Sequence, residues 1–194
     1  MTTESFPHTW IARILTAPPL IAPARQYIYP QHIPGEEDAM SRGALLVDIK
    51  PANAPNFLAT CALGFTDPSL PTSIHACPRP DDLLAIAGGY AYLIDTAHPD
   101  RFTMLPFRPV LELRPLPEAN LLLFIGHHAI LAWGPAGQAW QSEKLSDEGV
   151  TVTSIESGVL HGLGWQMLTD KETPFTLDLG AGVFISPGQQ PNLG

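Results

Sequence analysis

One stretch of the sequence reads Leu121-Leu122-Leu123-Phe124-Ile125-Gly126, and a second apolar run, Ile130-Leu131-Ala132, follows closely. Short apolar runs on either side of a glycine are typical of two β-strands joined by a tight turn. A similar arrangement surrounds two further glycines, Gly88 and Gly164, and the three glycines stand 38 residues apart. We therefore expect a strand–turn–strand unit at each glycine, repeated along the chain.

The apolar register that accompanies the glycines extends over residues 81–186. It predicts an all-β fold with three antiparallel four-stranded units that repeat every 38 residues, and the first and second units end with strands at 110–114 and 150–155. Residues 1–80 are rich in proline and predict short strands and loops that pack on the repeats. Residues 187–194 are expected to form a flexible tail. The alternative fold is a two-sheet β-sandwich, which has a similar number of strands but requires no 38-residue register.

A resemblance to a known architecture lies in the second unit. Residues 126–140 run from a turn glycine through an apolar strand and a glycine-containing turn to Trp140. This order resembles the blade signature of β-propellers of the quinoprotein-like type, and the other two units offer Phe102 and Phe175 for the tryptophan. The resemblance implies a propeller-like assembly, small or incomplete, and it places no cofactor residue of that family in this chain.

The composition excludes several classes of protein. The net charge is −9, and the ten lysines and arginines form no run, which argues against a nucleic-acid-binding surface. No apolar stretch is long enough to span a membrane. The first residues show no basic segment followed by an apolar one, and the two cysteines, Cys61 and Cys77, suggest buried thiols rather than a disulfide framework. We therefore expect a cytoplasmic protein.

Histidines are the strongest candidates for a functional site. His127 and His128 follow the turn glycine of the second unit, and His161 lies in the third. His128 also belongs to a set with Tyr90 and Gln166, because each of the three stands two residues after its unit's glycine. Equivalent positions of radially arranged sheets gather at one end, so these side chains could converge on a ligand. The alternative is that they merely begin exposed strands.

Other kinds of chemistry have weaker support in the sequence. His75 and Cys77 could face the same way on a strand, but no recognised zinc spacing occurs, and we predict no metal site. No nucleophile elbow or phosphate-binding glycine loop is present. Carboxylates that could pair for acid–base work occur at Asp81, Asp82, Asp95 and Glu112, each of which could equally be a turn or solvated residue.

Two classes of function follow from these observations. The first is a non-catalytic binding or scaffolding module for a small molecule, glycan or peptide. The second is a hydrolase or lyase that uses His127, His128 and His161. We also expect a homodimer, because the first or last unit would otherwise leave a flank uncovered, unless strands from residues 9–64 cover it.

Overall fold

The structure is a computed structural model that describes residues 5–21, 23–30, 33, 36 and 39–185. The predicted tail, residues 187–194, lies outside the described residues. The described strands are, in chain order, β1 (Trp10–Leu15), β2 (Gln26–Tyr29), β3 (Ala44–Pro51), β4 (Phe57–Ala62), β5 (Ser73–Ala76), β6 (Asp82–Ala87), β7 (Tyr90–Asp95), β8 (Phe102–Met104), β9 (Glu112–Leu116), β10 (Leu121–Ile125), β11 (Ile130–Gly134), β12 (Gly137–Gln141), β13 (Val150–Glu156), β14 (Val159–Gln166) and β15 (Lys171–Asp178).

The all-β prediction is confirmed. The helices of the described residues are two 3₁₀ turns, Ala39–Arg42 and Pro117–Ala119, and none of them is long and apolar enough to cross a membrane. The described strands form four small sheets rather than the two of the sandwich alternative. Three sheets have four strands, and the last has three.

The sheets follow the order of the chain. The first sheet has the order β1-β3-β4-β2 and contains the one parallel pair among the described strands, β2 with β4. The second sheet is β5-β6-β7-β8, the third is β9-β10-β11-β12 and the fourth is β13-β14-β15, with neighbours antiparallel throughout. β5, from the region predicted as N-terminal, therefore pairs with β6.

The sheets pack face to face. One core cluster joins the first sheet, the second sheet and one face of the third, which contributes Leu122, Phe124 and Leu131. A second cluster joins the opposite face of the third sheet, through Leu123 and Ile125, to the fourth sheet. Since successive residues of a strand point to opposite faces, the third sheet is buried on both sides.

The sheets differ from the predicted units in their strand grouping. The sequence pattern placed 110–114 and 150–155 at the ends of the first and second units, whereas β9 pairs with β10 and β13 with β14. The second, third and fourth sheets therefore each begin one strand earlier than the corresponding predicted unit. The pattern shows where strands lie but does not show which neighbour each one pairs with, because pairing is decided by contacts between distant residues.

The three glycines also differ from one another. Gly88 adopts a left-handed φ of 54° in the β6–β7 turn, as expected. Gly164 instead lies inside β14, opposite Val150 and Thr173, and the turn comes later, at 167–170. A Cβ atom at Gly164 would stand 2.0 Å from the carbonyl oxygen of Leu145, so this glycine permits a close backbone approach rather than a turn.

Candidate functional site

A cleft of about 370 Å³ lies where the second sheet meets the third. One wall is the loop between β8 and β9, and the other is the β10–β11 turn. We call this cleft the histidine cleft; it is lined by Pro106, Phe107, Arg108, Pro109, Gly126, His127, His128, Ala129 and Gln141.

The chain holds the two walls together through backbone hydrogen bonds. Val110 N–H donates to the Gly89 carbonyl at 2.8 Å, and Leu111 N–H donates to the Ile125 carbonyl at 2.8 Å. These bonds place the loop beside the turns of both sheets. Gly126 lies in the β10–β11 turn, as expected, but it has no left-handed φ. Its missing Cβ instead makes room for the ring of Phe107, whose Cζ would lie 2.9 Å from that atom.

Arg108 brings a fixed positive charge to the histidine cleft. Its guanidinium lies 5.0 Å from the centre of the Tyr90 ring, and its Nη1 lies 3.2 Å from Oε1 of Glu36. The same carboxylate accepts hydrogen bonds from the Tyr90 hydroxyl at 2.7 Å and from Arg42 at 2.6 Å. These two bonds lower the pKa of Glu36, and burial raises the pKa of Tyr90.

The two histidines have different surroundings. His128 is exposed, and its Nδ1 lies 3.2 Å from the Ser146 carbonyl. Because a carbonyl only accepts, this Nδ1 carries the proton and the Nε2 atom is left for another partner. His127 is half-buried, and its Nδ1 atom is buried with no hydrogen-bond partner among the described residues. A buried polar atom without a partner is uncommon, and a bound molecule or an ordered water is its usual explanation.

The other predicted site residues lie around the histidine cleft or away from it. Tyr90 is 3% exposed, and its hydroxyl contacts Glu36 rather than the cleft. Gln166 donates to the Leu145 carbonyl at 3.4 Å, in the segment that also contacts His128. His161 lies on the exposed face of β14, where its Nδ1 is 3.2 Å from the Thr176 hydroxyl, and it does not line the cleft.

The lining of the histidine cleft differs in charge from the chain as a whole. Its lining contains a guanidinium, two imidazoles and an amide, and none of its lining residues is an Asp or Glu. The nearby carboxylate of Glu36 is shared by two arginines and a tyrosine. In a protein with a net charge of −9, such a lining favours an anionic group.

The described part of the chain groups no three histidine, cysteine, aspartate or glutamate side chains that could hold a metal ion. His75 contacts the Ser73 hydroxyl at 2.8 Å, and burial lowers its pKa. Cys77 is a buried free thiol whose pKa is raised, chiefly by burial.

No protein-family model matches this chain, and no curated protein matches it significantly. The candidate site therefore rests on the geometry of these residues.

Sequence reasoning missed Arg108 and Glu36. Arg108 is the only cation between Arg101 and Arg114 and lies among prolines, in a chain with few basic residues. That isolation could have marked it as a candidate. Its partnership with Glu36 could not have been found, because 72 positions separate them in the sequence.

Proposed function

We propose that this protein is a non-catalytic binding module that holds a small organic anion, such as a carboxylate with a short apolar body, in the histidine cleft. The observation that carries the proposal is the lining itself, in which Arg108, His127 and His128 surround a space that no Asp or Glu residue lines.

The contacts of Arg108 support a role in ligand binding rather than that of an ordinary exposed charge on the surface. Its side chain is 34% exposed, and contacts with Tyr90 and Glu36 restrict it before any ligand arrives. A restricted side chain loses less entropy when it binds, so more of the interaction energy appears as affinity. A planar guanidinium also matches the two oxygens of a carboxylate.

The rest of the lining suits the apolar part of such a ligand. Pro106, Phe107, Pro109 and Ala129 supply carbon surface beside the polar groups. Ligand sites commonly combine a mostly apolar wall with a few polar groups that fix the orientation. The volume of about 370 Å³ is close to the smallest of such sites, which favours a small ligand.

The hydrolase or lyase alternative has less support from the geometry. Two of its three histidines line the histidine cleft, and the third, His161, contacts Thr176 on the fourth sheet. Enzymatic activity stays a prediction.

The test is calorimetric titration of the purified protein with acetate, propionate, succinate, benzoate and inorganic phosphate, and with propylamine as the cationic control. At least one organic anion should bind, and it should shift the imidazole NMR signals of His127 and His128. Arg108→Gln should weaken binding at least about tenfold, since a hydrogen bond to a charged group contributes about 1.5–3 kcal/mol.

Arg114→Gln is the matched control. Arg114 is also 34% exposed and also pairs with a glutamate, Glu112, but it does not line the histidine cleft. Its variant should bind as the wild type does. The proposal is wrong if none of the anions binds, or if both variants weaken binding equally.

We further propose a cytoplasmic location, which the two cysteines support. Cys61 and Cys77 are both buried and free, and burial raises the pKa of each thiol. Free thiols persist in reducing compartments. Cell fractionation with an antibody to the protein tests this location, and recovery outside the cytoplasm would contradict it.

A further inference from the structure

A second cleft lies at the opposite end of the same two sheets, where β6 begins and the β11–β12 turn projects. Its volume is about 620 Å³. We call it the aspartate cleft; its lining includes Asp82, Asp95, Arg79, Arg101, Phe102 and Trp133. It shares no residue with the histidine cleft.

Asp82 is the least expected member of this lining. The residue is 9% exposed, yet its carboxylate accepts no hydrogen bond from any described residue. The nearest cation is Nε of Arg79, at 3.8 Å, which is an ion pair without hydrogen-bond geometry. Because Asp82 lines the cleft and its carboxylate keeps unused acceptor capacity, a ligand group in the cleft can donate a hydrogen bond to it.

Asp95 lies opposite Asp82 on the neighbouring strand and is held in place by its own turn. Its Oδ1 accepts hydrogen bonds from the backbone N–H groups of Ala97 and His98, at 3.0 and 2.9 Å. Its Oδ2 has only longer contacts, to His98 Nδ1 at 3.5 Å and to Arg79 at 4.0 Å. The cleft therefore contains two fixed carboxylates with acceptor capacity to spare.

Two arginines balance these carboxylates. Arg79 lies between Asp82 and Asp95, and Arg101 forms no ion pair with a described residue. Two positive and two negative side chains make the lining close to neutral overall. The arginines repel a small cation and the aspartates repel a small anion, so the cleft favours neither kind of ion. A neutral ligand with several hydroxyl groups can donate to the aspartates and accept from the arginines.

Aromatic side chains supply the remaining part of the site. Trp133 and the 38%-exposed Phe102 both line the aspartate cleft. Large flat aromatic side chains offer apolar contact area to a ligand at low entropic cost. A sugar ring has an apolar C–H face and a rim of hydroxyl groups, which matches an aromatic wall beside paired acceptors and donors.

We propose that the aspartate cleft is a carbohydrate-binding site for a neutral mono- or disaccharide, with Asp82 and Asp95 as acceptors, Arg101 as a donor and Trp133 as the stacking surface. The volume lies within the usual range for small-ligand sites, about 300–1,000 Å³. Burial raises the pKa of Asp82 to about 6, as expected of a carboxylate that accepts no hydrogen bond from a described residue.

The test is saturation-transfer NMR and calorimetry with glucose, galactose, mannose, N-acetylglucosamine, maltose, cellobiose and lactose. Glucosamine and glucuronate are matched probes, because they keep the ring and add one positive or one negative charge. We expect at least one neutral sugar to bind, and the charged sugars to bind at least about tenfold more weakly.

The variants locate that binding. Asp82→Asn and Arg101→Gln should each weaken it at least about tenfold. Their matched controls, Asp48→Asn and Arg13→Gln, remove the partners of an ion pair outside the aspartate cleft and should bind as the wild type does. Arg101 is exposed, so its variant tests the site without a change at a buried position. Arg108→Gln should also leave sugar binding unchanged, which separates this site from the histidine cleft.

The proposal is overturned if no sugar in the panel binds the wild type. It is also overturned if binding survives in both Asp82→Asn and Arg101→Gln, or if a charged sugar binds more tightly than its neutral counterpart.

Discussion

The second and fourth sheets are both small antiparallel sheets, but they are buried differently. All six residues of β6 are buried, and so are five of the six in β7, because the first sheet covers one face and the third covers the other. In the fourth sheet, Leu160 and Leu177 face the third sheet, while His161 on the opposite face is exposed. The number of neighbouring sheets, and not the strand type, decides how much of each sheet is buried.

The comparison also separates the two ends of the molecule. Strands β1 to β4 pack on the second sheet. At that end of the molecule the N-terminal strands therefore cover the flank, which was the alternative to a dimer. At the other end, Val159, Leu163 and Trp165 are half-buried on the outer face of β14. Met167 and Leu168 follow in the next turn, and they are 64% and 99% exposed.

The largest expected effect concerns this uncovered end. We propose that a second copy of the chain packs on the outer face of the fourth sheet, because a symmetric dimer covers the apolar residues of both copies. Light scattering at micromolar concentration should give about twice the chain mass of 21.0 kDa.

One exposed leucine at each end provides the variants for the dimer. Leu168→Lys should yield the monomer, while Leu20→Lys, on the equally exposed Leu20, should not change the mass. A wild-type mass of 21.0 kDa would rule the dimer out.

The next prediction concerns the difference in burial between the second and fourth sheets. Leu84→Ala, at a fully buried position of β6, should lower the free energy of unfolding by about 2–5 kcal/mol. Leu163→Ala, on the outer face of β14, should lower it by less than about 1 kcal/mol. Chemical denaturation at a concentration where the wild type is monomeric measures both. Equal losses would show that the two sheets are packed alike.

A smaller effect is expected from the glycine inside β14. Gly164→Ala should destabilise the protein by about 1–3 kcal/mol, because the added methyl group collides with the Leu145 carbonyl. Gly134→Ala is the control, since its Cβ would have no neighbour nearer than 3.6 Å and its φ is not left-handed. The same denaturation experiment compares the two variants. Similar values for both would mean that the segment around Leu145 moves freely.

The glycine comparison shows how far the sequence predicts this fold. Apolar runs and glycines locate β6, β7, β10 and β11 well, because period and turn propensity are local properties. These local signals predict the same role for Gly88 and Gly164, although Gly88 forms a turn and Gly164 makes room for the carbonyl group of Leu145. That carbonyl belongs to a segment 19 positions earlier in the chain, so no local pattern reveals it.

The residues of the candidate site were also only partly predictable from the local sequence. The pair His127 and His128 stands out because it follows a glycine between two strands. The groups that give the site its charge do not stand out, since Glu36 meets Tyr90 across 54 positions and Arg108 across 72. Local sequence predicts where such side chains occur along the chain, and the packing of sheets decides which of them meet.

The smallest effect concerns Asp82, at the boundary between the doubly covered second sheet and the aspartate cleft. Burial raises the pKa of its carboxyl group to about 6, the charges of Asp95 and Asp81 add to that rise, and Arg79 opposes it. In the unfolded chain the group titrates near pH 4, so between about pH 4 and pH 6 the folded protein binds more protons than the unfolded one. The contribution of Asp82 to stability therefore falls as the pH rises through this window and stays low above it.

Asp82→Asn removes this titration, so we expect its melting temperature to exceed that of the wild type at about pH 8, on the order of 2–4 °C. The gain should shrink as the pH approaches about 4, where the wild-type carboxyl group is itself neutral. Differential scanning calorimetry at both pH values measures the gain, and Asp48→Asn, at the Arg13 ion pair of the first sheet, is the matched control. The same gain at both pH values would show that folding does not raise the pKa of Asp82. A loss at high pH would show that the folded protein stabilises the ionised carboxylate.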